Sequence, residues 1–359
     1  MNQLSKRKSK NNEVLLVSNM FPSKENAAFG SFVYNHYKRL KESFHIDKIV
    51  IDNHRKGKKN VISKYLTFFL EQLKVFLSSK KYQIIHFHYV FPTALLIDLF
   101  KFLGSKTIVT VHGGDVDNMA KRTKLHKSMT KHILNRADCV QCVSDYLKSL
   151  IVKEFEVNPE KVVVFNMGID ESFLTIPNEK TKNYDILFVG NFIKSKGVID
   201  LFEALKNYPQ LNVCIVGSLH DKSVYEKCTE IINKYNLNVE FTGVIGKREL
   251  KEYYSASKML ILPSHNEGAG LVTLEAMASG LLVLGSNVGG LSELLAENRG
   301  ILFEAKNAND ISSAIKKGLT IVESEDMDKI TKENMKYARS MTISQQVSKV
   351  ERLYKCFLK

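Results

Sequence analysis

Residues 265–280 read HNEGAGLVTLEAMASG and place two carboxylates, Glu267 and Glu275, eight positions apart around a Gly-Ala-Gly turn. The strand-like run MLILPS precedes them and a helix-forming run comes after, so a helix should start near Gly268 to Gly270. The first amides of such a helix, from Gly268 through Ala269 and Gly270 to Leu271, have no partner inside it. With the helix dipole they favour an anion such as a diphosphate. Glu275, about five residues into the helix, would sit roughly 8 Å from those amides, within reach of a ribose attached to the diphosphate. A carboxylate accepts from two vicinal hydroxyls, and Glu267, on the other side of the amides, can accept from a sugar on the far phosphate. The spacing therefore measures out a nucleotide-sugar, against the simpler reading of two solvated helix glutamates.

Other chemistries find less support. Cys139 and Cys142 form a C-x-x-C, but RADCVQCVSD reads as a buried strand, where residues three apart face opposite ways and share no metal. No metal site is expected. Five cysteines make no disulfide framework, which favours a cytoplasmic chain. The apolar run VLLV near the basic N-terminus is too short for a secretion signal, so the start is read as uncleaved. VFPTALLIDLFKFLG, broken by Asp98 and Lys101, falls short of the roughly 20 residues that span a bilayer.

The net charge is +14, and residues 1–180 hold most of it: 29 Lys and Arg against 17 Asp and Glu, +12, with 23 against 21, +2, in the remainder. Such a field attracts nucleic acid or an anionic membrane surface. No recognised nucleic-acid motif accompanies it, and no G-x-G-x-x-G comes after the first strand, so nucleic-acid binding and nicotinamide chemistry are set aside. In ISKYLTFFLEQLKVFLSSKK, Ile62, Tyr65, Phe69, Leu73 and Phe76 recur at helical spacing. A core-packing helix is preferred there to a membrane-surface helix.

The elements that must position these residues alternate. VLLVS, DKIVI, QIIHFH, TIVTVH, CVQCVS and VVVFN read as strands, with helices near 32–42, 62–79, 93–103, 123–135 and 144–154. DILFVG, NVCIVG, VEFTG, MLILPS and LLVLGS continue the rhythm, with helices near 197–206, 223–235, 247–256 and 271–279. The pattern predicts an α/β chain of two Rossmann-like doubly wound domains, with ligands at the carboxyl ends of the strands. The expected domains are 1–172 and 184–340 with a linker over 173–183. A terminal helix over 341–359, apolar at Val347, Val350, Leu353 and Phe357, is expected to cross back to the first domain.

The strand, the E-x(7)-E spacing and the EAMASG run closely resemble glycosyltransferase family 4, retaining enzymes of the GT-B fold, with two such domains facing a central cleft. SNMFPSKENAAFGSFVYNHYKRL, IIHFHYVFPTALL, VTVHGGDV, VSDYLKSLIV and FNMGID resemble successive motifs of that family's first domain. FVGNFIKSKGVIDLFEAL and LPSHNEGAGLVTLEAMASGLLVLGSNVGGLSELL resemble its donor-phosphate and donor-site motifs, so the likeness runs from about residue 14 to 320. It implies contact of Glu267 with the donor sugar and of Glu275 with the ribose. It also implies a diphosphate-neutralising role for Lys196 and a place for His112 near the anomeric carbon. By the same resemblance, Gly113, Gly114 and Asp115 line a candidate acceptor side, Gly30 borders the donor phosphates and acceptor, and the backbone at Gly243 and Val244 meets the base. Asn191 stands where the family often has arginine, Leu282 where proline is frequent, Ala269 where an aromatic is common, and NMGID where NGVD is usual.

The activity that this resemblance implies is transfer of a sugar from a UDP- or GDP-type donor to a hydroxyl acceptor with retention. The acceptor is expected to be a glycan or a lipid-linked intermediate of cell-surface polysaccharide synthesis. No cofactor or metal is required, and the departing phosphate takes the acceptor proton. Closure would bring His112 over the donor and expel water. The expected location is cytoplasmic, with an anionic membrane surface as a partner at its inner face. An inactive GT-B partner subunit and a sugar-nucleotide epimerase of the same fold are the alternatives.

Overall fold

The computed structural model describes residues 13–23, 29–53, 57–175, 181–219 and 221–358. The basic N-terminal stretch, residues 24–28 of the first glycine loop and 176–180 of the expected linker lie outside the described residues. Two compact units result, one of residues 1–166 with 343–359, the other of 167–342.

In the first unit the order is β1 (Glu13–Ser18), α1 (Ser31–Leu40), β2 (His45–Val50), α2 (Lys58–Leu77), β3 (Ile84–His88), α3 (Ile97–Phe102), β4 (Lys106–Val111), α4 (Lys124–Arg136), β5 (Cys139–Cys142), α5 (Asp145–Phe155) and β6 (Val162–Val164). All pairs are parallel, in the order β2-β1-β3-β4-β5-β6. Continuous apolar strands such as VLLV and IIHF suit a sheet covered on both faces. The order reverses between β1 and β3, so the loops after these strands flank a switch point.

The second unit repeats this plan with β7 (Tyr184–Val189), α6 (Val198–Leu205), β8 (Asn212–Val216), α7 (Lys222–Tyr235), β9 (Asn238–Gly243), α8 (Lys247–Ser255), β10 (Ser257–Leu262), α9 (Leu271–Ala278), β11 (Leu282–Ser286), α10 (Gly289–Leu295), β12 (Ile301–Phe303), α11 (Ala308–Val322) and α12 (Asp326–Arg339). Its parallel sheet runs β12-β11-β10-β7-β8-β9, reversing between β7 and β10. Two apolar layers cover it, one around Phe188, Phe192 and Phe202, the other around Tyr254, Leu274 and Met277. Phe173, at the start of the expected linker, is buried in the second of these layers, and Ile169 is hydrogen-bonded through its amide to Met341 O at 2.9 Å. The first unit therefore ends at residue 166 rather than 172, because the apolar residues of GIDESF find their cover beside Tyr254 and α9.

The last helix, α13 (Ile343–Phe357), packs in the first unit, where Ile343, Val347, Val350 and Tyr354 join Val14, Leu16, Phe44 and Ile84 in one core. The Tyr354 hydroxyl meets His86 Nδ1 at 2.6 Å in that core. Cys139 and Cys142 are free, buried thiols, and no group of potential metal ligands occurs among the described residues. No described helix is long and apolar enough to cross a membrane.

The preferred core-packing reading of the segment around α2 holds only in part. Phe68 and Gln72 are buried, and of the five periodic residues Tyr65, Phe69, Leu73 and Phe76 are half-buried while Ile62 is 68 % exposed. The helix lies against β2, an edge strand, which offers cover for one face only.

Tyr354→Ala would leave a cavity in the first unit and strip His86 Nδ1 of its partner, with Thr110 still at Nε2, at a cost of about 3–5 kcal/mol. A denaturant titration of the first unit's unfolding should show the loss, and an unchanged midpoint would mean that α13 does not hold this core.

Candidate active site

The donor-side residues gather at the switch point of the second unit. The loop after β7 runs through Gly190, the exposed Asn191 and a short turn at Lys194–Lys196 into α6. The loop after β10 carries Pro263 to Gly270 into α9, so the helix starts where its sequence predicted and Glu275 is its fifth residue. Three contacts join the two loops. The His265 amide donates to Ser195 O at 2.9 Å, its Nε2 lies 2.6 Å from Asp200 Oδ2, and Gly197 packs directly against Pro263. Gly197 has φ +66°, and a Cβ there would stand 1.8 Å from the Pro263 carbonyl oxygen, so only glycine lets the loops approach this closely.

That approach brings Lys196 Nζ to 2.6 Å from Glu267 Oε2, with both side chains largely shielded from solvent. The buried Ser264 hydroxyl also donates to Glu267 Oε2, at 3.3 Å, and the Gly290 amide holds the Glu267 carbonyl at 2.9 Å. Lys196 and Glu267 thus face each other beside Gly268, Ala269, Gly270 and Leu271, whose region supplies the unsatisfied first amides of α9. A cation, a ring of amides and a carboxylate in one place can hold a diphosphate and a hydroxyl-bearing group attached to it.

Glu275 lies in a different environment. It accepts from the Tyr254 hydroxyl at 2.9 Å, and burial pushes its carboxyl up to about 7 against the pull of that hydrogen bond. Tyr254 sits on α8, whose first residue, Lys247, pairs with Asp170 at 2.7 Å. The exposed Val244 opens the loop from β9 into α8, on the path that leads to this pair. Tyr254, Asp170 and Lys247 lie around Glu275 in the candidate site, and the sequence pattern does not single them out. The i, i+7 placement of Lys247 and Tyr254 on one helix face is the available signal, yet such placements are common on any amphipathic helix.

In the first unit, His112 comes directly after β4. Its ring packs 4.8 Å from Phe32 and 5.5 Å from His88, with His88 Nδ1 3.3 Å from His112 Nε2. Burial holds the imidazole near 3, with His36 adding to the shift, so His112 is neutral at ordinary pH. Asp115 is buried and accepts from the amides of Gly113 at 2.8 Å, His112 at 3.1 Å and Val90 at 3.3 Å. Burial nevertheless raises its carboxyl to about 6. Asp115 and Gly113 therefore fix the turn that aims His112, while Gly114 lies against the Tyr89 hydroxyl and is exposed. Gly30, at the N-cap of α1, has φ +71°, and a Cβ would meet the Met20 backbone at 2.5 Å, so only glycine fits this turn.

His86, His88 and His112 stack in a row, with centroid separations of 4.4 Å and 5.5 Å, and His36 meets His86 and His88 edge-on at 6.1 Å and 5.4 Å. The cluster has a legible signal: His86 and His88 are two apart on β3 and so share a sheet face. Both are held well below the ordinary imidazole range by burial, and His36 is lowered to about 4 by burial.

These geometries generate two expectations. Gly197→Ala forces the two donor loops apart and should cost about 2–4 kcal/mol in a thermal or denaturant melt; a melt like that of the parent would show that the loops yield cheaply. The His36 pKa is lower folded, about 4, than its ordinary 6.5, so its stability contribution is complete above pH 6.5 and lost as pH falls toward 4. At pH 5.5 that one group costs about 1.4 kcal/mol. His36→Leu should therefore flatten the fall in Tm between pH 7.5 and 5.5, and an identical slope would refute the assignment.

The family model for glycosyl transferases group 1 matches residues 170–337, and that for glycosyltransferase family 4 matches residues 15–173. An uncharacterized glycosyltransferase of Methanocaldococcus jannaschii is 29 % identical over 340 residues, covering 90 % of this chain and 92 % of that protein. A putative teichuronic acid biosynthesis glycosyltransferase of Bacillus subtilis is 25 % identical over 58 % of this chain, which spans 54 % of that protein's length. Among solved structures, Anabaena HepE in complex with UDP and glucose superposes with a TM-score of 0.75 at 16 % identity, covering 96 % of this chain and all of that one. The last of these is a likeness of fold, and it agrees with the two parallel-sheet units. With both models matching in chain order and meeting near residue 170, the chain belongs to the group 1 glycosyltransferases of the GT-B fold.

Proposed function

We propose that this glycosyltransferase moves a sugar from a nucleoside diphosphate donor to a hydroxyl of a glycan or lipid-linked acceptor, with retention at the anomeric carbon. The observation that carries the reading is the Lys196–Glu267 pair beside the first amides of α9. A diphosphate arriving there meets a lysine and unsatisfied N–H groups, and it frees Glu267 to accept from the sugar's hydroxyls. Glu275 takes the ribose, and the backbone near Val244 the base. For His112 we keep the role the resemblance implies, contact with the sugar near its anomeric carbon.

The bond from the anomeric carbon to the phosphate oxygen lengthens first, leaving an oxocarbenium-like centre. Lys196 and the α9 amides stabilise the charge on the departing diphosphate, which is where stabilisation lowers the barrier most. The acceptor oxygen then bonds to that carbon on the face the phosphate leaves, and its proton passes to the phosphate oxygen. No metal is invoked, because the charge is met by a lysine and by dipoles. The teichuronic acid relative supports a cell-surface polysaccharide as the product, and the UDP-bound HepE structure supports a uridine donor. The excess positive charge of residues 1–180 supports a cytoplasmic protein working at an anionic membrane face, where a lipid-linked acceptor is presented.

Thermal stabilisation by UDP, GDP, ADP and CMP tests the donor site, with Glu275→Gln beside the parent. Because burial raises the Glu275 carboxyl from 4.5 to about 7, the folded chain loses stability as pH rises from 4.5 to 7 and the cost is complete by pH 8, where the neutral amide should raise the apo Tm. The gain should be on the order of 1 kcal/mol. The same change should weaken the stabilising nucleotide about tenfold or more. If no nucleotide shifts the parent, the inactive-subunit reading takes precedence. A Glu275→Gln variant that responds to nucleotide like the parent would remove Glu275 from the donor site.

A further inference from the structure

The outward face of α2 has no use in the donor chemistry. At 100° per residue, Ile62, Leu66, Leu70, Leu73 and Leu77 fall within an arc of about 80°, opposite the buried Phe68 and Gln72. Ile62, Leu66, Leu70 and Leu77 are 68, 58, 47 and 80 % exposed. The stripe is continuous over about 22 Å of helix. A contiguous apolar row of that length is unfavourable against water and marks a surface that something covers.

Charge selects the occupant. From residue 58 to 81 the chain has six lysines and one carboxylate, Glu71, with Lys80 paired to Asp47. The exposed Lys58 and Lys74 fall on either side of the stripe on the helical wheel, and the exposed Lys59 lies within its arc one turn before Ile62. A second copy laid on this face would bring lysines against lysines. An anionic lipid surface neutralises them while the leucines enter the boundary between headgroups and acyl chains, the lysine stems reaching back to headgroup level.

We propose that the outward face of α2 is a docking surface for an anionic membrane, with Ile62, Leu66, Leu70 and Leu77 as the inserted side chains. The proposal rests on the reading of a membrane-presented acceptor and gives it a specific element. It also gives the helix a place relative to the site: Asn19, just past β1, donates to the Tyr65 hydroxyl at 3.4 Å, so the first half of α2 lies by the carboxyl end of β1, at the switch point of the first unit.

The chain contains no tryptophan, so Leu66→Trp in the full protein makes a single reporter on the stripe. Vesicles of phosphatidylcholine with about 30 % phosphatidylglycerol should shift its emission to the blue, and phosphatidylcholine alone should shift it far less. Leu66→Ser with Leu70→Ser, both at exposed positions, should keep the parent melt and lose vesicle co-sedimentation about tenfold or more. Three results would overturn the proposal: no blue shift on anionic vesicles, unchanged co-sedimentation of the serine variant, or a lipid-free dimer of the parent that the serine variant dissolves. Nucleotide stabilisation measured on the same samples separates the two readings. A chain that answers nucleotide and ignores vesicles sinks only the docking face, and one that binds vesicles without answering nucleotide sinks only the donor site.

Discussion

The approach of the Gly197 backbone to the Pro263 carbonyl fixes the geometry of the candidate donor site. With no Cβ at residue 197, the loops leaving β7 and β10 close on each other at the point where the strand order reverses. The His265 amide and the Ser195 carbonyl then hold that closure by a hydrogen bond. Lys196 and Glu267 come from loops some seventy residues apart in sequence, and they meet because these backbones touch. The donor pair is therefore a product of sheet topology. An isolated βα loop supplies amides for a phosphate, but a cation and a carboxylate on opposite rims need two loops, and the switch point is where two loops open side by side.

The two glutamates of the E-x(7)-E run show how environment separates groups of one type. Glu267 is met by a lysine and a serine hydroxyl, and its negative charge is compensated. Glu275 has one neutral donor, Tyr254, and its burial makes the charged form costly. A carboxylate in that state gains most from a ligand bringing further donors, which a ribose diol does. Under the proposed donor site, the fold holds a destabilised group where binding would relieve it, which is one way that marginal stability is exchanged for affinity.

Much of this is legible in the sequence, because it is written as local pattern. The alternation of β-rich runs with amphipathic ones anticipates eleven of the strands and most helices, and the Gly-Ala-Gly turn anticipates where α9 begins. What fails to show depends on neighbours distant in sequence. Helical periodicity in 62–79 reports that α2 has apolar residues at regular spacing, but the helix has apolar positions on two sides, and only the edge position of β2 decides which side is covered. The boundary at residue 166 is invisible for the same reason: Phe173 looks like part of a linker until Tyr254 stands beside it. Tyr354 likewise reads as one residue of a terminal amphipathic helix, and its pairing with His86 crosses most of the chain.

The distribution of charge argues for a division of labour between the two units. A diphosphate site built mainly from net positive charge would place the lysines and arginines in the second unit, yet that unit, residues 167–342, is nearly balanced, 20 basic against 23 acidic. The candidate donor site offers there one lysine and a helix terminus, both short-range and directional. A field that decays over about 10 Å at ordinary ionic strength adds little to such contacts and much to the attraction of an extended charged surface. The excess of +12 in residues 1–180 is therefore poorly explained by the donor. It is well matched to the proposed anionic membrane partner, broad and apolar beneath its surface, and so is the leucine row of α2.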